Sequence, residues 1–174
     1  HYANGSVNFG VMLAIATRGT VIGGIILEPV TGDYLWAIKG QGAFQRINGV
    51  DQPLTAGRHN ALPLTDTMCC YSFGVTKDTE RQQAIEVANK MGRIMDYRCA
   101  AAEYRLLNTG AVSFVIFQNK LNIWDHGAGL LITQEAGAVA RMMDGSEYSP
   151  QITGKLLVAE SETRWQEVAA LFVE

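Results

Sequence analysis

Short apolar runs dominate the first third of the chain, and turn residues separate them. Arg18-Gly19 and the segment Pro29–Gly32 are two such separators. Runs rich in Val and Ile that are bounded by Gly and Pro are typical of strands, and Asn48-Gly49 has the composition of a hairpin turn. We therefore predict an antiparallel meander over residues 1–56. Its first three strands are expected at Phe9–Ala16, Val21–Leu27 and Tyr34–Ile38.

After a predicted loop at Gly57–Thr65, apolar runs alternate with segments of helical spacing. The runs predict strands at Met68–Phe73, Ile94–Tyr97, Ser113–Phe117 and Leu156–Ala159. Apolar residues at three- and four-residue steps predict helices at Asp78–Met91, at Ala101–Asn108, after Asp125 and from Glu162. Strands that alternate with helices indicate an α/β layer, which we assign to residues 66–174. The chain, 1–174, is predicted to form a single unit, since its length suits one domain.

The helix after Asp125 is the best-defined element of the second part. Asp125 lies where this helix is predicted to begin, and Gly137 lies where it is predicted to end. A carboxylate in the first turn is stabilised by exposed N–H groups and by the helix dipole. Asp125 is therefore either the helix cap or a carboxylate that presents an oxygen to a hard cation. The apolar stripe of the helix is Ala128, Leu131, Ile132 and Ala136.

Composition and charge exclude several classes of protein. With 48% hydrophobic and 18% charged residues, the chain has the composition of an ordinary globular protein. A net charge of −3 offers no basic surface, so we expect no nucleic-acid partner. Apolar runs such as Val7–Ala16 are too short to span a bilayer, so we expect no membrane partner. Three cysteines without a Cys-x-x-Cys pair favour reduced thiols and a cytoplasmic location.

Several further residues are expected to be structural. Vicinal Cys69-Cys70 is predicted to be a strand pair with one side chain buried. His59, in the predicted loop, is expected to be solvated. The remaining acids form no tight pair with ligand spacing, and most are expected to be solvated charges or helix caps: Glu28, Asp33, Asp51, Asp66, Asp78, Glu80, Asp96, Glu103 and Asp144.

Four segments in order resemble one protein family. Trp124-Asp125-x-x-Ala128-Gly129, followed by a helix that ends Glu135-Ala136-Gly137, resembles the C-terminal signature of the inositol monophosphatase family. The other three segments resemble the family's hairpin turn, its Lys-Gly-x-Gly-Ala-Phe stretch and its Gly-Ser/Thr-Ala-Ala turn. They are Glu28–Asp33, Lys39–Phe44 and Cys99–Ala102. The resemblance covers nearly the whole chain.

The resemblance implies a fold and a set of site residues. It implies a layered α/β/α/β/α sandwich and a Mg²⁺-dependent phosphomonoesterase site, with Asp125 as a metal ligand. It also implies that the turn at Ala100 and Ala101 holds the ring or phosphate of a phosphorylated substrate, although small residues there also permit close helix packing. Gln118 occupies the position where the family often has a Glu that binds substrate hydroxyls. His126, beside Asp125, is expected on the helix surface or as a support for its neighbour rather than as a general base.

The acidic motifs that complete the family's metal site do not occur in this sequence. A Glu-Glu helix and an Asp-Pro-x-Asp-Gly-Thr stretch lie upstream in the family. His1–Ser6 aligns either just after the second motif or, with a deletion, on a degraded copy of it that ends Asn4-Gly5-Ser6; we favour the first alignment. Asp125 by itself cannot clamp two metal ions. We therefore expect a fold truncated at its N-terminus, no assigned catalytic residue, and weak or absent Mg²⁺ binding.

Two functions remain open at this point. If the 174 residues are the whole protein, we favour a truncated phosphatase fold that assembles, or that weakly binds a sugar phosphate, without hydrolysing it. If they belong to a longer protein, we expect the C-terminal portion of an active Mg²⁺-dependent phosphomonoesterase, with its other metal ligands on an upstream or separate segment. The substrate itself stays open among inositol, sugar, histidinol and nucleotide phosphates.

The resemblance also implies an uncovered surface. The strands at Val7–Ala16 and Val21–Leu27 are apolar on both faces, and such strands belong in a sheet that is covered on both sides. In the family, an upstream helical segment supplies one cover. Without it, one face would be a contiguous exposed apolar patch. We therefore expect a homo-oligomer, most simply a two-fold dimer that buries this face against itself.

Overall fold

The computed structural model describes residues 2–57, 61–72, 78–150 and 152–172, without the side chains of residues 78–80. The predictions made for His1, His59 and Phe73, and for the side chains of Asp78 and Glu80, lie outside these residues.

The first third of the chain folds as one antiparallel meander, which we call sheet A. Its strands lie side by side in chain order: β1 (Val11–Thr17), β2 (Thr20–Leu27), β3 (Tyr34–Ile38), β4 (Ala43–Ile47) and β5 (Val50–Leu54). Asn48 and Gly49, at the predicted hairpin, have φ values of 50° and 81°. Two successive residues with positive φ match the twist of a two-residue hairpin, so the meander and this turn are confirmed.

The second sheet, sheet B, is mixed. Its strands are β6 (Met68–Tyr71), β7 (Arg93–Met95), β8 (Phe114–Lys120), β9 (Val139–Met142) and β10 (Thr153–Ala159), in the spatial order β7-β6-β8-β10-β9. β6 pairs in parallel with β7 and with β8, whereas β10 runs antiparallel to β8 and β9. The strand β9 was not predicted from the sequence.

The described residues contain four α-helices, which lie in two layers. They are α1 (Asp78–Ala88), α2 (Ala100–Asn108), α3 (Ile123–Glu135) and α4 (Glu162–Ala169). α2 and α3 share a hydrophobic core with sheet A and with one face of sheet B. α1 and α4 pack against the other face of sheet B. The layers are therefore sheet A, the α2/α3 pair, sheet B and the α1/α4 pair, which confirms the predicted layered α/β class.

The vicinal cysteines show how completely sheet B is covered. The side chain of Cys70 lies in the core formed with α2 and α3, and that of Cys69 lies in the core formed with α1 and α4. Both residues are 0% exposed. The prediction that only one of the two is buried was therefore wrong, because successive strand residues point to opposite faces and both faces of this sheet are covered.

One carboxylate ties the β3–β4 turn of sheet A to the end of α3. Glu135 accepts hydrogen bonds from the backbone N–H groups of Gly40 (2.7 Å) and Gly42 (2.9 Å). These bonds lower the pKa of Glu135 below its ordinary value. Two of the segments that carry the family resemblance, Lys39–Phe44 and Glu135–Gly137, are thus joined in space.

The side of sheet A that faces away from α2 and α3 is its outer face. The side chains of cross-strand partners point to the same face. The strand register therefore identifies the residues of the outer face as rows of partners that run across the strands. The central row is Leu13, Ile25, Trp36, Phe44 and Pro53. The flanking rows are Ile15, Gly23 and Ile38 on one side, and Val11, Leu27, Tyr34, Arg46 and Asp51 on the other.

The described residues contain no helix that is long and apolar enough to cross a membrane.

Candidate functional site

Asp125 lies in the first turn of α3, which begins two residues earlier than predicted. The N-cap is Asn122, and its side-chain amide donates to Oδ2 of Asp125 over 3.2 Å. The prediction that the helix begins at Asp125 was therefore wrong, and so was the interpretation of Asp125 as its cap. The carboxylate is half-buried at the N-terminal end of the helix, where the dipole favours negative charge. Asn before a helix is a common cap, so Asn122 was recognisable from the sequence.

Gln118 lies near the end of β8, and its side chain is hydrogen-bonded to the residue that follows the neighbouring strand β6. Its side-chain amide nitrogen donates to the carbonyl oxygen of Ser72, the residue that follows β6. The Ser72 hydroxyl in turn donates to Oδ1 of Asp96, which follows β7, over 2.9 Å. Because β6, β7 and β8 are parallel, these three polar residues lie at one edge of sheet B, at the carboxyl ends of the strands. Ligands of α/β sheets commonly bind at this edge.

Ala100 and Ala101 are the first two residues of α2, which begins one residue before its predicted start. The N-cap, Cys99, makes no side-chain capping bond. Ala101 also packs closely on Gly10, which precedes β1, since a Cβ added to Gly10 would lie 2.7 Å from the Cβ of Ala101. Close packing thus gives Ala101 a structural role. Substrate binding by the N–H groups of Ala100 and Ala101 stays a prediction.

Glu103 is a buried acid, although it was predicted to be among the solvated charges or helix caps. It is 3% exposed, and it lies near Asp96 while its carboxylate accepts from the backbone N–H groups of Tyr97, Arg98 and Cys99. Burial and the charge of Asp96 raise the pKa of Glu103 to about 7, although the N–H groups oppose the shift. Glu103 therefore supports the turn that leads into α2. Glu103 is the fourth residue after the N-cap Cys99, whereas a capping box has its Glu at the third, so no sequence pattern indicated this role.

His126 lies beneath Asp125, inside the α2/α3 layer. It is 4% exposed, so the prediction of a helix-surface position was wrong. Its Nδ1 is 3.1 Å from the hydroxyl of Tyr104, and its ring packs edge-on against Phe117 with centroids 4.8 Å apart. Burial lowers the pKa of His126 to about 4, although the charge of Asp125 opposes the shift. A neutral, buried imidazole of this kind positions the first turn of α3.

The carboxylates of the site do not make up the ligand set of a two-metal phosphatase. Within residues 2–57, 61–72, 78–150 and 152–172, no group of three or more His, Cys, Asp or Glu side chains could hold a metal ion. Mg²⁺ takes oxygen ligands in a strict octahedron, and a two-metal site needs ligands for both ions. Asp125 offers one carboxylate, so the described residues fit a single weakly held ion at most.

A cleft of about 500 Å³ lies away from Asp125, between α2 and the end of β2. Ala101 lines it, but neither Gln118 nor Asp125 does. Arg105 and Glu28 form an ion pair in its wall. This cleft is therefore separate from the polar edge of sheet B.

A family model and two curated relatives all relate this chain to inositol monophosphatases. The model of the inositol monophosphatase family matches residues 1–174. The inositol-1-monophosphatase of Caulobacter vibrioides is 25% identical over 158 residues, which cover 89% of this chain and 60% of that protein. The fructose-1,6-bisphosphatase/inositol-1-monophosphatase of Thermotoga maritima is 28% identical over 147 residues, covering 84% and 54%. The chain thus spans a little over half the length of these relatives.

A solved structure shows the same fold. Inositol monophosphatase II of Staphylococcus aureus superposes with a TM-score of 0.83 at 22% identity, over 97% of this chain and 61% of that one. Trp124 and Asp125, which carry the family resemblance, lie in the first turn of α3, within the residues that the family model matches. The chain belongs to the inositol monophosphatase family.

Proposed function

We propose that this chain binds a small phosphorylated polyol at the carboxyl edge of sheet B and does not hydrolyse it as an isolated 174-residue protein. The observation that carries the proposal is the combination of a polar edge with an incomplete set of metal ligands. Gln118 lies near the end of β8, Asp125 follows β8, and the start of α2 follows β7. The described residues nevertheless supply no cluster of three acids.

The bonding of Gln118 supports a role in recognising substrate hydroxyls. Its amide nitrogen is engaged by the carbonyl of Ser72, which orients the side chain and leaves its oxygen as an acceptor. A Gln held in this way can accept a hydrogen bond from a polyol hydroxyl without carrying charge. The N–H groups at the start of α2 favour a phosphate, and Asp125 would provide one ligand to a Mg²⁺ that the phosphate helps to hold.

Titration with inositol monophosphate, followed by amide chemical shifts with and without millimolar Mg²⁺, tests the binding. We expect weak binding that Gln118→Leu and Asp125→Asn each reduce. Gln134→Leu is the matched control, because Gln134 is exposed near the opposite end of α3. Unchanged affinity in Gln118→Leu would contradict the role of this edge.

A phosphate-release assay with inositol monophosphate and p-nitrophenyl phosphate tests the absence of turnover. We expect the 174-residue chain to show no Mg²⁺-stimulated hydrolysis above that of Asp125→Ala. Turnover that depends on both Mg²⁺ and Asp125 would contradict the proposal, because it would require ligands beyond those described.

The length of the relatives supports a second candidate function. Because the chain spans 60% and 54% of the first two relatives, it is also suited to be the C-terminal portion of a Mg²⁺-dependent phosphomonoesterase acting on inositol or related sugar phosphates. The same assay on protein produced from the complete natural reading frame distinguishes the two. Asp125-dependent turnover in that protein, but not in the 174-residue chain, would favour the second function.

The thiols support a cytoplasmic location for either function. Cys69, Cys70 and Cys99 are all free, and the first two are fully buried on opposite faces of sheet B. Reduced thiols are typical of the cytoplasm.

A further inference from the structure

The start of α2 is a helix N-terminus without a side-chain cap. The N-cap residue Cys99 makes no capping bond, and the N–H groups of Ala100, Ala101 and Ala102 donate to no acceptor among the described residues. Free N–H groups and the helix dipole favour an anion at such a position. In the proposed function, this position binds the phosphate of the ligand.

Glu103 brings a carboxylate of the protein itself to the same end of the helix. It is the fourth residue of α2, but its carboxylate accepts from the N–H groups of Tyr97, Arg98 and Cys99, which precede the helix. The side chain therefore runs back along α2 to its N-terminal end. When ionised, it opposes a phosphate there, because two negative charges compete for one helix dipole and repel each other.

The negative charge of Glu103 is poorly compensated. The residue is 3% exposed, and its Oε1 has no hydrogen-bond partner among the described residues. No Lys, Arg or His side chain of the described part of the chain forms a salt bridge with it. Burial also removes the water and salt that screen an exposed charge. A phosphate at the start of α2 would therefore be repelled strongly by an ionised Glu103.

The titratable groups that surround Glu103 on sheet B cannot replace it in this role. Asp96, which follows β7, and Lys120, at the end of β8, are exposed, so water and salt screen their charges. Cys70 on β6 and Tyr104 on α2 are buried. Burial, with a smaller contribution from the charge of Glu103, raises the pKa of both groups, so both are neutral near pH 7.

The charged groups on the other neighbouring elements are directed to different partners. Arg98, in the turn before α2, contributes its backbone N–H and has an exposed side chain. On α3, His126 is bonded to Tyr104, and Asp125 accepts from Asn122. Glu28, after β2, pairs with Arg105 further along α2. Glu103 is thus the buried acid at this end of α2.

We infer that Glu103 controls anion binding at the start of α2: a phosphate binds there when Glu103 is protonated and is repelled when Glu103 is ionised. This control presupposes the phosphate position of the proposed function, and it adds regulation by pH. Burial and the charge of Asp96 raise the pKa of Glu103 to about 7, so its protonation changes near neutral pH. By linkage, a bound anion raises that pKa further.

Titration of the 174-residue chain with inorganic sulfate, followed by the amide shifts of Ala100 and Ala101 at constant ionic strength, tests this control. Sulfate is a dianion at both pH 6 and pH 8, so its own charge does not change. The neutral fraction of a carboxyl group with a pKa near 7 falls from about 0.9 at pH 6 to about 0.1 at pH 8. We therefore expect the affinity for sulfate to fall about tenfold over this range.

Glu103→Gln, which has a neutral side chain of similar shape, should bind sulfate at pH 8 as tightly as the parent chain binds it at pH 6. Glu86→Gln is the matched control, because Glu86 is exposed on α1; this variant should keep the loss of affinity. A second measurement needs no variant. The carbon-13 shift of the Glu103 carboxyl group, followed against pH, should give a pKa about one pH unit higher in saturating sulfate than without it.

Equal affinities for sulfate at pH 6 and pH 8, or an unchanged pKa of Glu103 in sulfate, would overturn the control by Glu103 and leave the phosphate position intact. A fall in affinity that is as steep in Glu103→Gln as in the parent chain would overturn it too. If sulfate moved the amide shifts of Ala100 and Ala101 neither in the parent chain at pH 6 nor in Glu103→Gln, the phosphate position itself would be wrong, and the control with it.

Discussion

Gly24 of β2 lies directly against Ala128 of α3. A Cβ added to Gly24 would lie 3.0 Å from both the Cα and the carbonyl oxygen of Ala128. These are backbone atoms of a buried helix, so they cannot move aside as the end of a side chain can. The pair therefore sets how closely the middle helix layer approaches sheet A.

Gly24→Ala should lower the free energy of unfolding by about 1–3 kcal/mol, the usual cost of overpacking a core. Gly23→Ala is the matched control, because the neighbouring glycine points to the outer face and its added Cβ would meet Ile15 at an ordinary 3.6 Å. Urea unfolding of both variants measures the difference. An equal loss of unfolding free energy in both variants would show that strand propensity, rather than the contact with Ala128, causes the destabilisation.

Glu135→Ala should destabilise the chain by about 1–2 kcal/mol, because it leaves the N–H groups of Gly40 and Gly42 without their acceptor. The folded pKa of Glu135 is below its ordinary value. Its contribution is therefore fully present above the unfolded pKa and is lost as the pH falls through the folded pKa. Thermal unfolding at pH 7 and pH 3 checks both statements. Glu86→Ala, at an exposed position on α1, should change stability by less than about 0.5 kcal/mol.

His126 should make the protein less stable in mild acid. Its folded pKa of about 4 lies below the ordinary value of 6.5, so the unfolded chain binds more protons between these values. The neutral imidazole therefore contributes about 3 kcal/mol to the free energy of unfolding above pH 6.5, and this contribution is lost as the pH falls toward 4. Urea unfolding of His126→Phe across this range should show a shallower acid loss than the parent chain. Parallel profiles would contradict the assignment.

Glu103 should make the protein less stable as the pH rises, whereas His126 does so as the pH falls. Its folded pKa of about 7 lies above the ordinary value of 4.5, so the folded chain binds more protons in that interval and stability falls as the pH rises through it. Glu103→Gln should therefore gain up to about 3 kcal/mol relative to the parent chain between pH 4.5 and pH 8. Urea unfolding at the two pH values measures this gain, and Glu86→Gln, at an exposed position of α1, is the control.

Mg²⁺ should bind the 174-residue chain only weakly. One carboxylate, whose Oδ2 already accepts from Asn122, gives the ion few protein ligands. Calorimetry with MgCl₂ should show no site at micromolar concentrations, and Asp125→Asn should abolish the weak heat that remains. Stoichiometric binding at micromolar Mg²⁺ would mean that a second carboxylate converges on Asp125.

The parts of the fold that follow local rules were predictable from the sequence. Tyr34–Ile38 was predicted with its observed bounds, and the Asn48-Gly49 turn was recognised from its composition. The short strand Val139–Met142 was not, because it has four residues and gains its pairing from β10, further along the chain. Pairings of this kind are not encoded in local periodicity.

The burial of polar side chains is the main property of the site that was not predicted from the sequence. Glu103 and His126 have no neighbours in the sequence that reveal their surroundings, and both are buried by elements remote from them along the chain. The bonds from Gly40 and Gly42 to Glu135 likewise join residues that are far apart in sequence. Gln118 was located by resemblance, but its orientation depends on the carbonyl of Ser72, which follows the neighbouring strand β6.

The position of α3 late in the chain has a consequence for synthesis on the ribosome. The inner side chains Ile26, Leu35 and Ala37 are each 2% exposed in the folded protein, in the core that sheet A shares with α3. Translation must proceed from Leu54 to Glu135 before that cover exists, at roughly 5–20 residues per second. During those seconds the nascent meander presents apolar side chains in both directions, which makes it a target for chaperones and for aggregation. Sheet A is thus synthesised before α3 but becomes stable only once α3 covers it.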